Sequence, residues 1–198
     1  NQTITLLSDI DITGDEWIPI GTSTNLFKGL FDGQNHKISN FKCYANNRLN
    51  QIGLFGNATY TIQNLIIEDV FIGEQINTKQ KSDFGSLLGC LTKTTLTPTI
   101  TNCHANNCKI LIYELNSNYE FHVGGLIGIV DNASINNCGI KNCIIDIYGG
   151  SYIGGLIGWG NDNGGTITNS YSEVDITFQM AKTNFGCILG GLCCNNFI

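Results

Sequence analysis

Nine cysteines are the densest supply of reactive side chains in this 198-residue chain, and their spacing limits what they can do. Cys103 and Cys108 stand at the same offsets from Ile100-Thr101-Asn102 as Cys138 and Cys143 do from Ile135-Asn136-Asn137. One unit earlier Leu65 and Val70 fill the matching places, so these four cysteines fall where core residues are expected. Three readings stand side by side. They are small buried hydrophobes, or disulfides between stacked equivalents about 4.8 Å apart, or metal ligands. Cys103-His104 and Cys108 supply ligand types, but no C-x-x-C pair marks a zinc knuckle. Cys187 occupies a small-residue slot, whereas the adjacent Cys193 and Cys194 are candidates for a junction with a further segment or another chain, or else buried residues of a truncated coil. The odd total leaves at least one thiol without an intrachain partner.

Other chemistries find weaker footing. Asp9 and Asp11 alternate with Ile10 and Ile12, as on a half-solvated strand, and Asp15 and Glu16 follow. Glu68 and Asp69 are sequence neighbours, which a strand points to opposite faces, so they form no acid–base pair of the glycosidase kind. His36, His104 and His122 lie far apart, outside any H-E-x-x-H spacing, and read as surface or turn residues. Asn161-Asp162-Asn163-Gly164 has calcium-friendly types but no later glutamate at loop spacing, and reads as a turn. No catalytic, cofactor or metal residues are assigned. Asn1, Asn57 and Asn132 open Asn-x-Ser/Thr sequons. The last two follow glycine blocks, which predicts one shared edge as a candidate glycan face.

The elements that would position these residues are repeats. A glycine-bracketed apolar block recurs as Ile52-Gly53-Leu54-Phe55-Gly56, Phe84-Gly85-Ser86-Leu87-Leu88-Gly89, Val123-Gly124-Gly125-Leu126-Ile127-Gly128, Ile153-Gly154-Gly155-Leu156-Ile157-Gly158 and Phe185-Gly186-Cys187-Ile188-Leu189-Gly190. Between the blocks runs Ile-x-Asn, at Ile62, Ile100, Ile135 and Ile167, with Ile38-Ser39-Asn40 as an earlier cousin. Two elements recurring in one order identify a repeat, and their unequal spacing assigns length differences to loops. The units read as short strands without a helical stripe, and glycine at fixed offsets marks corners or close backbone approach. One unit cannot bury its own apolar face, but stacked units can. The expectation is an all-β fold, a β-solenoid of about five or six coils, roughly 25–30 Å along its axis.

The blocks resemble GLUG-motif repeats of large surface proteins, including non-catalytic parts of the IgA-protease type of metallopeptidase. The opening stretch, with Ile4-Thr5-Leu6, Trp17-Ile18-Pro19-Ile20-Gly21 and Phe27-Lys28-Gly29-Leu30-Phe31-Asp32-Gly33, is similar to the segment that precedes such repeats. Together these divide the chain into opening, cap-like strands over 1–50 and GLUG-like repeats over 51–198, continuous with the first part and read as a piece of a larger protein. The resemblance implies a β-solenoid in an extracellular or cell-surface, adhesin-like setting, and it transfers no catalytic residues.

Composition agrees with a folded, non-nucleic-acid-binding chain. Charged residues make up 13% and the net charge is -6, with Arg48 as the one arginine and no basic run to meet phosphates. No apolar stretch reaches membrane-spanning length. The reading is a non-catalytic structural or adhesive module, as a filament or cell-surface stalk subunit, with protein partners or self-assembly through open solenoid ends, possible glycan contacts, and no cofactor. The alternative is a carbohydrate-binding solenoid using Trp17, Tyr44, Tyr60, Tyr148, Tyr152, Trp159 or Tyr171 as stacking platforms. An exposed aromatic row would favour it, and buried rings would favour scaffolding.

Overall fold

The computed structural model describes residues 2–14, 16–46, 49–74, 81–113, 120–148, 151–161, 165–179 and 188–193. Among them there is no helix, and the strands form sheets of thirteen, five and four members. Strand pairing is parallel throughout these sheets, each strand lying on its counterpart one coil away. The chain is a parallel β-solenoid of about five turns.

Five ladders run along the axis, and the inward column of each is apolar except for Ser172 in the second. The first stacks Ile4, Phe31, Ile62, Ile100, Ile135 and Ile167. The second stacks Ile10, Ile38, Ile67, Ala105, Ile140 and Ser172. The third carries Cys43, Ile72, Ile110, Ile145 and Ile176. The fourth carries Ile52, Phe84, Val123 and Ile153, and the fifth Phe55, Leu88, Ile127 and Ile157. The opening segment joins the same ladders, with Ile20 bridging to Phe55 and Glu16 to Lys42. A single strand of alternating pattern would bury one face at most, so the core exists only because the coils share it. It is continuous from Leu6 to Ile157.

Corners explain the asparagines. Asn64, Asn102, Asn137 and Asn169 turn the chain from the first ladder into the second at φ of 53°, 52°, 51° and 52°. This left-handed region is costly for most side chains and tolerated by asparagine. The second-to-third corner uses Asn40, Asp69, Asn107 and Asn142, again at positive φ. Asn40 therefore belongs to the second corner, and Ile38 pairs with Ile67, which corrects the grouping of Ile38-Ser39-Asn40 with the Ile-x-Asn series. In the opening coil the first corner is taken by Gly33, Gln34 and Asn35, with Asn35 N donating to Asn64 O at 2.8 Å.

The glycine blocks form the corner between the fourth and fifth ladders, where backbones nearly touch. A Cβ on Gly128 would stand 2.6 Å from both Gly89 O and Phe84 N, atoms of the preceding coil. Neither atom can yield without breaking a ladder, so a side chain is excluded there. Ser86 fits its slot because its hydroxyl donates to Gly125 O at 2.6 Å, in the coil above. Cys187 lies outside the described residues.

Gly128→Ala is expected to cost about 1–3 kcal/mol or more, as overpacking does. Gly191, with nothing near its missing Cβ, should accept alanine within about 0.5 kcal/mol. Thermal denaturation of the two variants beside the parent chain reads the difference directly.

Candidate functional site

The four aligned cysteines do stack. Cys103 lies over Leu65, and the registers on either side place Cys138 one coil further on. All four are buried thiols. Each sulfur has backbone acceptors: Cys103 donates to Thr101 O at 3.4 Å, Cys138 to Asn136 O at 3.3 Å, Cys108 to Asn106 O at 3.4 Å and Cys143 to Lys141 O at 3.2 Å. The arrangement suits small buried residues with satisfied S–H groups, and it also brings the Cys103 and Cys138 sulfurs, and those of Cys108 and Cys143, close enough to interact, so stacked equivalents meet pairwise. Burial pushes the Cys103 thiol well up. Cys43, in the third ladder, is pushed up to about 12 by burial. Cys103 and Cys43 therefore carry almost no thiolate near neutrality and are poor nucleophiles, whereas a sulfur hydrogen bond from Cys103 lowers the Cys138 thiol and one from Cys108 lowers the Cys143 thiol. Cys193 bridges to Ile157 in the fifth ladder, packed against the core, and Cys194 lies outside the described residues.

The corner asparagines add an amide ladder. Asn102 Nδ2 lies 3.0 Å from both Asn64 Oδ1 and Asn35 Oδ1, while Asn137 Nδ2 donates to Asn102 Oδ1 at 3.1 Å. A parallel series at the next corner links Lys37 to Glu68 at 2.7 Å, Asn106 to Glu68 at 3.3 Å and Asn142 to Asn106 at 3.3 Å. Glu68 is held below the usual glutamate range by the Lys37 ammonium. Glu68 and Asp69 thus serve different places, one in the polar column and one at the corner. Asp9 accepts from Lys37 N at 3.1 Å and pairs with His36 at 3.0 Å, and Asp11 accepts from Thr13 and Asn40. Both are exposed, but so is Ile10 between them, so the expected alternation of faces holds only in part, with Ile12 half-buried; Asp15 and the run 162–164 lie outside the described residues.

The sequons do not share a face. Asn57 lies within the strand Phe55–Ala58, is only 5% exposed, and accepts from the Thr92 hydroxyl at 3.0 Å. It pairs with Cys90, and Cys90 with Ile129, so it is a ladder position, whereas Asn132 lies in the turn beyond that ladder at φ 44°. A glycan on Asn57 would have nowhere to go, which corrects its place on a common glycan edge. Asn132 is partly exposed, and Asn1 lies outside the described residues.

Histidine placement also differs from the sequence reading. His122 is 1% exposed, in the strand Phe121–Gly124, with Nδ1 2.7 Å from Asp83 Oδ1 one coil away. Asp83 is 7% exposed, and the imidazole stacks on Tyr152 at 5.4 Å, with Trp159 at 5.9 Å. The members of this pair are 39 positions apart, and the sequence signal that links them is their shared offset before a glycine block. His104 is half-buried, stacked on Tyr171 at 5.9 Å, and burial lowers its pKa. Only His36 sits on the surface as expected. Among the described residues no three His, Cys, Asp or Glu side chains converge to hold a metal ion.

The aromatic side chains are mostly packed. Trp17 lies against Phe41 and donates Nε1–H to Leu54 O at 2.9 Å; Tyr44 packs on Phe71, Tyr152 on Trp159, and Tyr171 on His104. Tyr148 pairs with Tyr113, which is 58% exposed and whose hydroxyl donates to Asp146 at 2.7 Å. Tyr60 instead lines a groove of about 240 Å³ with Lys28, Thr59, Thr94, Thr95 and Leu96.

These features define a parallel β-solenoid whose polar groups are spent chiefly on holding coil to coil. Among solved structures, the chain is similar to that of a "putative immunoglobulin A1 protease" from Bacteroides ovatus, with a TM-score of 0.50 and 17% identity over 98% of this chain and 77% of that one. At that identity the likeness is one of fold. No family model matches the chain, and no curated protein does.

Two outcomes follow. Asn102→Ala loses both the left-handed tolerance and the amide bonds and should cost about 2–3 kcal/mol, whereas Asn102→Gly keeps the backbone geometry and should cost about 1 kcal/mol less, by urea denaturation. For Cys43 the folded thiol ionises near 12 against 9.0 for an unburied one. Its contribution to stability is therefore complete below pH 9 and lost as pH climbs from 9 towards 12, because only the unfolded chain ionises there. The urea midpoint should fall above pH 9, and Cys43→Val should flatten that fall.

Proposed function

We propose that the chain is a non-catalytic structural or adhesive repeat module of the GLUG kind, part of an extracellular or cell-surface protein, in which stacked coils make a stiff spacer. The observation that carries this reading is the continuity of the five largely apolar columns, which make one shared core rather than a frame around a cleft. Parallel ladders resist shear because every rung engages the next through several backbone bonds. The strand Tyr171–Gln179 pairs on one side with Gly139–Tyr148 and, among the described residues, with no strand on its other side. Such an edge accepts another rung, so self-assembly or a protein partner at the end of the stack fits the same reading.

A second reading, a carbohydrate-binding solenoid, is favoured by one observation, the hydroxyl-lined groove beside Tyr60. It is compatible with the first, since an adhesive spacer needs something to adhere with.

The test of the first reading is location and modification in the source cell. A tagged parent protein should be cut by protease added to intact cells, and deglycosylation should reduce its mass by an amount that Asn132→Gln diminishes and Asn57→Gln leaves unchanged. A protected, unmodified, intracellular protein would refute the surface assignment.

A further inference from the structure

The corner where the fifth ladder hands over to the first is repeated on successive coils by Phe27-Lys28, Thr59-Tyr60 and Thr94-Thr95-Leu96. The groove of about 240 Å³ opens between these three corners. Its walls are fixed by backbone bonds: Phe27 N donates to Asn57 O at 2.9 Å, Thr59 N to Phe27 O at 3.0 Å, and Thr92 N to Ala58 O at 2.9 Å. Thr59 is buried, and its hydroxyl donates to Thr94 Oγ1 at 2.9 Å, which joins two walls by a polar pair. Leu96, on the rim, is 53% exposed, an apolar side chain in a position where core packing does not require one.

Lys28 gives the groove its charge. It makes no ion pair among the described residues, although the chain has sixteen carboxylates, and none of the groove's lining residues is acidic. The groove therefore offers one uncompensated ammonium, a set of hydroxyls that can both donate and accept, an aromatic ring and an aliphatic side chain. A compact inorganic anion would use the ammonium and neglect Tyr60 and Leu96. A neutral sugar would use the hydroxyls and ring and neglect Lys28. A sugar bearing a carboxylate uses all of them: a charge-assisted bond to Lys28, hydroxyl-to-hydroxyl bonds to the threonines, and C–H faces against Tyr60 and Leu96. The volume suits a single terminal unit rather than an extended chain.

We propose that this groove binds an acidic monosaccharide unit, a sialic or uronic acid at the end of a glycan. The proposal rests on the carbohydrate-binding reading and specifies its ligand class and its residues.

Calorimetric or ligand-observed NMR titration of the purified whole chain tests it, with sialyllactose, glucuronate, lactose and inorganic phosphate as probes. Sialyllactose and glucuronate should bind saturably with Kd of about 1 mM or tighter, lactose at least about tenfold more weakly, and phosphate should not displace the sugars. Lys28→Gln should weaken the acidic sugars about tenfold or more and leave lactose unchanged. Leu96→Ala should weaken sialyllactose, and both variants should melt with the parent because the two side chains are exposed. Absence of saturable binding by both acidic sugars, equal affinity for lactose, displacement by phosphate, or indifference to Lys28→Gln would each overturn the proposal. Binding to the purified chain is read independently of where the protein resides, so failure here leaves the spacer reading standing, and failure of the surface assignment leaves this result unaffected.

Discussion

Parallel stacking of backbone on backbone is the constraint from which the rest of this molecule follows. Each coil must offer its N–H and C=O groups to the coils above and below at nearly every strand position, at a rung spacing of about 4.8 Å. A residue therefore always has its equivalent as nearest neighbour, and side-chain types sort into columns. Inward columns are isoleucine, leucine, phenylalanine and buried cysteine. Corner columns are asparagine at positive φ. Where the fourth and fifth ladders fold back on each other, the column is glycine, because a Cβ would occupy the place of a neighbouring coil's backbone.

Polar columns solve a second problem that stacking creates. A core of near-identical isoleucine rungs would tolerate a slip by a whole coil almost as well as the native register. Unlike pairs remove that degeneracy. Asp83 meets His122 and not another histidine, and Lys37 meets Glu68, which in turn meets Asn106. A slip would leave the His122 imidazole or the Asp83 carboxylate buried without its hydrogen bond, at the cost such orphaned groups carry. The buried Asp83–His122 pair, flanked by the rings of Tyr152 and Trp159, therefore favours the native register over a slipped one.

The columns also explain what was readable in the sequence. Ile-x-Asn and the glycine blocks recur because rung equivalence forces the same residue into the same place, so Cys103, Cys138, Cys108 and Cys143 could be aligned and assigned to the core. Signals carried by contact between unlike residues were not readable. His122 looked like a loop histidine because its partner is one coil away, with no local motif to announce it. Asn57 looked like a surface sequon because the three-residue pattern carries no information on whether its side chain has already been claimed, here by Thr92. Asn40 satisfied Ile-x-Asn by type but occupies the second corner, and only strand pairing distinguishes two corners that require the same backbone conformation.

The same logic indicates where such a fold has freedom to acquire function. Ladder positions are constrained from both sides and are poor places for a binding group, since a change must be accommodated by two neighbours. The corner between the fifth and first ladders is different: it runs from Ala58 to Ile62 in one coil, from Leu91 to Thr99 in the next and from Val130 to Ser134 in the one after, so its length varies while the ladders on both sides remain in register. Its ends are tied to the neighbouring coils, but Tyr60 and Leu96 lie between the strands and belong to no strand pair. Lys28, Tyr60 and Leu96 are three unlike residues contributed by three successive corners of this kind. A column of identical residues can make a scaffold, but recognition of a particular ligand needs unlike groups held at fixed separation, and on a solenoid the variable corners provide them on a framework whose rigidity comes from the invariant ones.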